Sequence, residues 1–177
     1  MIISKQTPKE IVLKLGGECS AQNCGRRSHC CNYSTGFLAE GDLPRIARHL
    51  RMTEKALKEK YLDEKRMFNT AALKPKSIKG DKPYGPCIFL NSQGCLIHKV
   101  KPLQCRLYTC KDYGFDLMQW FYLNHLVNPD DPQSVREYAE FLKFNTPIPG
   151  GNLEEIVPDR QRLAKILNYQ IMMKEEK

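Results

Sequence analysis

SHCCNY, residues 28–33, sets two cysteines side by side in a chain that carries six more, at positions 19, 24, 87, 95, 105 and 110. The fold turns on whether Cys30 and Cys31 join each other, share one metal, or serve two partners. A disulfide between neighbours requires strained geometry. The opening run MIISKQTPKE lacks the apolar stretch of a secretory signal, so the protein is expected to be cytoplasmic. Thiols are kept reduced there, which disfavours disulfides. In an extended chain successive side chains point to opposite sides. The pair is therefore expected to face two sites, or to divide into one ligand and one buried thiol.

The spacings narrow the chemistry. Four residues separate Cys19 from Cys24 and five separate Cys24 from Cys30; the later gaps hold seven, nine and four. No C-x-x-C occurs, which argues against zinc ribbons, RING domains and thioredoxin-like sites. The C-x-x-x-C-x-x-C of radical S-adenosylmethionine chemistry is missing, as are a glycine-rich phosphate loop and a G-x-S-x-G elbow. The cysteines lie beside Gly, Asn, Arg and Lys rather than on apolar faces, so inert buried thiols are the weaker reading. All eight, Cys19, Cys24, Cys30, Cys31, Cys87, Cys95, Cys105 and Cys110, are read as metal ligands. An iron–sulfur cluster, [4Fe-4S] by preference, is favoured over Zn2+. Zinc prefers gaps of about two to four residues, whereas a cluster offers several irons to widely spaced thiolates.

Composition is that of a soluble domain: 177 residues, 41% hydrophobic and 27% charged, with a formal net charge of +8. No apolar run is long enough to span a membrane. Residues 1–110 hold 20 Lys/Arg against 9 Asp/Glu, whereas residues 111–177 hold 8 against 11. Every cysteine lies in the basic part, so some of the surplus matches the negative charge that thiolates bring to a metal.

The expected fold is mainly α, a small helical domain with irregular cysteine-rich loops stapled by metal, plus a helical C-terminal extension. Residues 1–113 form the cysteine-cluster domain and 114–177 the extension packed on it. Residues 1–18 read as a lead-in. Residues 42–68 read as two helices, with Asp42 and Thr53 as caps. Residues 74–86 form a Lys/Pro/Gly loop, and helical periodicity returns over 117–126, 134–144 and 160–173. Pro158 kinks or restarts the last stretch. A helix-turn-helix over 42–62 is weakly signalled, because the turn glycine is absent. His98 stands out from the other histidines, lying between Cys95 and Cys105.

GPCIFLNSQGCLIHKVKPLQCRLYTC, residues 85–110, resembles the second half of the CxxCxxCC cysteine-cluster family, the YkgJ type described as zinc- or iron-chelating. Cys87, Phe89-Leu90, Cys95, Ile97, Pro102, Cys105 and Arg106 match the family's order, and Cys30-Cys31 match its vicinal pair. His98 stands where tyrosine is usual and Lys101 where arginine is usual. Cys19 and Cys24 lie further from the pair than the family pattern places them. The resemblance covers residues 19–113, with 37–62 resembling the intervening helices. It implies a metal-chelating domain related to the flagellin lysine N-methylases, iron–sulfur proteins that act with S-adenosylmethionine. No position here matches a methyl-transfer motif.

Three functions follow as expectations. The first is a cytosolic iron–sulfur or zinc protein serving as an accessory factor through its basic surface. The second is a protein lysine N-methyltransferase-like enzyme using S-adenosylmethionine. The third is a metal-stapled nucleic-acid-binding module that places Arg26, Arg27 and the Lys74–Lys82 loop on phosphates. An acidic protein or RNA is the expected partner of residues 74–82, and no membrane is involved.

Overall fold

The computed structural model describes residues 2–16, 29–110 and 112–173. Cys19, Cys24, Arg26 and Arg27 lie outside the described residues. The rest is mainly α, with helices joined by loops and two small two-stranded sheets. Packing divides the chain into two compact units. One holds residues 13–65 and 72–110; the other holds 1–12, 66–71 and 111–177.

The first unit contains every described cysteine. After the end of α1 (Lys9–Gly16) comes α2 (His29–Tyr33), then α3 (Asp42–His49) and α4 (Glu54–Tyr61). Thr53 caps α4 as expected, its hydroxyl accepting from the Ala56 amide at 3.2 Å. Asp42 does not cap α3. Gly41 holds that position with φ 81°, a left-handed value at which glycine carries no Cβ penalty. Ile46, Ala47 and Leu57 close on Leu38, Leu62, Phe89 and Ile97 to form the core. Tyr61 stacks on Phe89 with ring centroids 5.3 Å apart.

The second expected helix stops early. Residues 62–68 were expected as its end, but α4 finishes at Tyr61 and β1 (Leu62–Met67) begins, pairing with β2 (Thr70–Pro75). The two-residue link is Phe68-Asn69, at φ 49° and 54°. Positive φ at both central positions is the geometry that suits a tight hairpin. Asparagine tolerates it; for phenylalanine it costs free energy that burial must offset.

Further along, Ser77 bridges Cys87 in antiparallel fashion. A small hairpin follows, β3 (Leu90–Asn91) with β4 (Gly94–Cys95), in the register Leu90 to Cys95 and Asn91 to Gly94. A 3-10 turn at His98–Val100 leads to α5 (Leu103–Leu107). The end of α1 meets α5 closely: a Cβ on Gly16 would stand 2.7 Å from the Leu107 Cα.

The second unit is built from α6 (Gly114–His125), α7 (Pro132–Leu142), α8 (Leu153–Ile156) and α9 (Arg160–Leu167). Phe68 is buried there, edge-on to Tyr122, Tyr138 and Phe141. The Asn69 amide donates to Glu137 Oε2, and its side chain to Asp131 Oδ2, each at 2.7 Å. Trp120 Nε1 donates to the Thr7 carbonyl at 2.8 Å. Pro158 separates α8 from α9 as expected, and Asp159 caps α9. That last helix stops at Leu167 rather than 173. Arg136 takes up the carbonyls of Ile166, Ile171 and Met172 instead. Residues 1–18, expected as a plain lead-in, contain α1.

Candidate metal centre

Cys30, Cys31, Cys87, Cys95 and Cys105 line one cavity of about 60 Å³ in the first unit. All five are partly buried. Cys110 is exposed and does not line it. Among the described residues, no three Cys, His, Asp or Glu side chains are gathered tightly enough to hold one ion as they stand.

Each cysteine reaches the cavity for a local reason. Cys30 and Cys31 sit on α2, not on an extended strand, so the expectation of opposite-facing side chains is corrected. Successive residues on a helix diverge by about 100°, and both thiols of the pair line the same cavity. The Cys31 carbonyl accepts from the Cys87 amide at 2.7 Å, tying the two halves of the cysteine pattern together. Cys95 ends the β3–β4 hairpin, and α5 presents Cys105.

The placement of α5 depends on Asp42, whose side chain is 2% exposed. Its Oδ2 accepts from the Ala39 amide at 2.9 Å and the Leu103 amide at 2.6 Å. Its Oδ1 accepts from Arg45 and, at 3.3 Å, from Arg106. Arg45 also donates to the Lys101 carbonyl at 3.1 Å. Charged hydrogen bonds of this kind contribute about 1.5–3 kcal/mol each when buried. One carboxylate thus joins the start of α3 to the start of α5. Next to it, buried Gln104 accepts the Phe37 amide at 2.5 Å, which holds the 35–38 segment against α5.

That segment brings Gly36 onto Cys105. A Cβ at position 36 would stand 2.5 Å from Cys105 Sγ and 2.9 Å from its amide nitrogen. Only glycine leaves the sulfur its place. The Gly36 amide donates to Cys105, the Phe89 amide to Cys87 and the Ile97 amide to Cys95. Such donors favour the thiolate.

Burial opposes them. It raises the Cys87 thiol to about 11, and raises Cys95 and Cys105 as well. The neighbouring thiols add to the effect: Cys87, Cys31 and Cys95 on Cys105, and Cys95 on Cys87. Lys101, 9% exposed, works the other way on Cys95. Its charge gives a role to the lysine found where the family pattern usually has arginine. Burial lowers the Lys74 amine, while Cys105 and Cys87 raise it. Burial and neighbouring thiols keep these groups protonated, yet each carries an amide donor and cations lie nearby. A bound dication favours the thiolate form, so binding at such thiols releases their protons.

His98 also lines the cavity. Gly36 and Thr35 were missed from the sequence, although a small residue soon after a cysteine pair is the available signal. The basic loop is not the single exposed cluster that its composition suggests. Lys76 donates to the Glu59 carbonyl at 2.6 Å, Lys74 lies over the Phe37 ring, and Lys82 over Tyr84. No helix is long and apolar enough to cross a membrane among the described residues.

Comparison with curated proteins found no match, and neither did comparison with solved structures. Against protein families, residues 18–125 match CxxCxxCC, described as "Putative zinc- or iron-chelating domain". The match takes in the cysteine pair, the Asp42 clamp and the Cys87–Cys110 segment; by it, the chain belongs to the CxxCxxCC family.

Proposed function

We propose that the chain holds an iron–sulfur cluster in this cavity, with Cys31, Cys87, Cys95 and Cys105 as ligands and Cys30 beside them. The observation that carries the reading is that five cysteines line one cavity of about 60 Å³. A structural zinc takes four ligands, usually from gaps of about two to four residues. The gaps of seven and nine residues between Cys87, Cys95 and Cys105 suit a larger body with several irons at its corners. The amide donors on three of the sulfurs support the same reading, because hydrogen bonds to sulfur tune such centres. Cys19 and Cys24 remain candidates as further ligands.

Anaerobic isolation with iron, sulfide and zinc analysis tests this, together with a visible absorption spectrum. Iron and sulfide in near-equal amounts, with a broad charge-transfer band, is the expected result. Cys31→Ser and Cys105→Ser should each lose most of the iron, and Cys110→Ser little. Stoichiometric zinc without iron after reconstitution overturns the cluster and leaves a zinc-chelating protein.

A further inference from the structure

Beside the cysteine cavity runs a second groove of about 190 Å³, and Ser34, Thr35 and Pro75 belong to the walls of both. Its remaining lining is of two kinds. Lys65, Lys74 and Lys79 stand against a single carboxylate, Asp63. Tyr33 and Tyr84 form an aromatic wall, with ring centroids 5.4 Å apart and 52% and 44% exposure. The two rings are inclined at 54° to each other and leave aromatic surface in water, with the Lys82 amine 5.8 Å from the Tyr84 centroid.

Thr35 adds an independent observation. It is 4% exposed, and its Oγ1 is buried without a hydrogen-bond partner. A buried hydroxyl left unsatisfied costs on the order of 1–3 kcal/mol. The groove therefore has surplus positive charge, an unused hydroxyl and an exposed aromatic wall. All three needs are met by one kind of occupant.

We propose that the groove binds a small anion, a phosphate or carboxylate carried on a flat ring, directly beside the cysteine cavity. The anionic group lies among Lys65, Lys74 and Lys79 and takes the Thr35 hydroxyl, and the ring lies on Tyr33 and Tyr84. Because Tyr33 shares α2 with Cys30 and Cys31, the occupant contacts the element that carries the cysteine pair. The site does not depend on which metal the cavity holds.

Calorimetric and NMR titrations of the full chain, as isolated and at constant ionic strength, provide the test. The probes are inorganic phosphate, succinate and AMP. Saturable binding of AMP is expected, tighter than that of phosphate. Lys65→Gln/Lys79→Gln, at two exposed positions, should weaken AMP about tenfold or more, a loss of about 1.4 kcal/mol or greater. Tyr84→Ser should weaken AMP severalfold and leave phosphate unchanged. Succinate binding at least as tightly as phosphate assigns the anionic group as a carboxylate. Absence of saturable binding by all three probes overturns the proposal, as does binding indifferent to both variants. A single-stranded RNA oligomer that binds where AMP does not compete also overturns it, making the groove a nucleic-acid contact.

Discussion

Replacing Gly36 by alanine adds one methyl group at the wall of Cys105. The new Cβ would lie 2.5 Å from Cys105 Sγ, 2.9 Å from its amide nitrogen and 3.2 Å from the Gln104 Cβ. Ordinary contact begins at 3.4 Å, so the sulfur must retreat by about 1 Å or the 35–38 segment must move away from it. Overpacking of this size costs about 1–3 kcal/mol. In a protein of this length that corresponds to a fall in Tm of roughly 2–12 °C. The effect on the centre is larger than the effect on the fold, because metal–sulfur distances of about 2.3 Å tolerate only about 0.2 Å of error. Retreat of that segment also removes the Gly36 amide donor on the Cys105 sulfur. Metal content per chain should therefore fall by more than half, with secondary structure retained by circular dichroism. Gly80→Ala is the control, since nothing lies within 4 Å of a Cβ there. Full metal content and an unchanged Tm in Gly36→Ala would refute the assignment of Cys105 to the centre.

Asp42→Asn should cost about 1.5–3 kcal/mol, because the buried carboxylate loses the charge that its hydrogen bonds from the half-buried Arg45 and Arg106 depend on. Urea denaturation measures it, and a loss below about 1 kcal/mol would show that Asp42 is not the clamp described. For the metal-free protein, the thiols titrate higher in the folded state than the ordinary 9.0, with Cys87 at about 11. Folded protein then keeps protons that the unfolded chain releases. Stability is thus fully present below pH 9.0 and is lost as pH rises toward about 11. Thermal melting of demetallated protein across that window should show a falling Tm, and a flat profile would contradict the burial of these thiols. Chelation should unfold the cysteine-bearing unit, since a four-thiolate site contributes about 10 kcal/mol or more of apparent free energy. Hydrogen exchange would locate the loss within residues 29–110, and full protection there after complete removal of metal would count against it.

The helices that the sequence announces are those whose stop and start signals are local. Thr53 caps α4, and Pro158 with Asp159 divides α8 from α9. The hairpin at 62–75 was hidden because LDEKRM carries no alternation of apolar and charged residues. Its turn is also unusual, Phe68-Asn69 in place of Asn-Gly. What fixes Phe68 at positive φ is an aromatic cluster more than fifty residues downstream, which no local pattern encodes. In the candidate centre, the cysteines and the Phe-Leu, Pro and Cys-Arg landmarks were legible as a set. The backbone course of the vicinal pair was not, because two cysteines carry little preference between helix and strand. The contact of Gly36 with Cys105 spans sixty-nine residues and exists only once Asp42 and Gln104 have placed α5.

The order in which the chain is made bears on when each part of its packing can form. Residues 13–65 and 72–110 are complete once Cys110 has been synthesised. Phe68 and Thr7 must still wait for Tyr122, Tyr138 and Trp120. At about 5–20 residues per second, the 67 residues after Cys110 take roughly 3–13 s to appear. For that interval the Phe68 ring has none of its aromatic neighbours. A chain cut short after position 110 would keep the cysteine-bearing stretches yet leave the hairpin tip without the packing that offsets its positive φ.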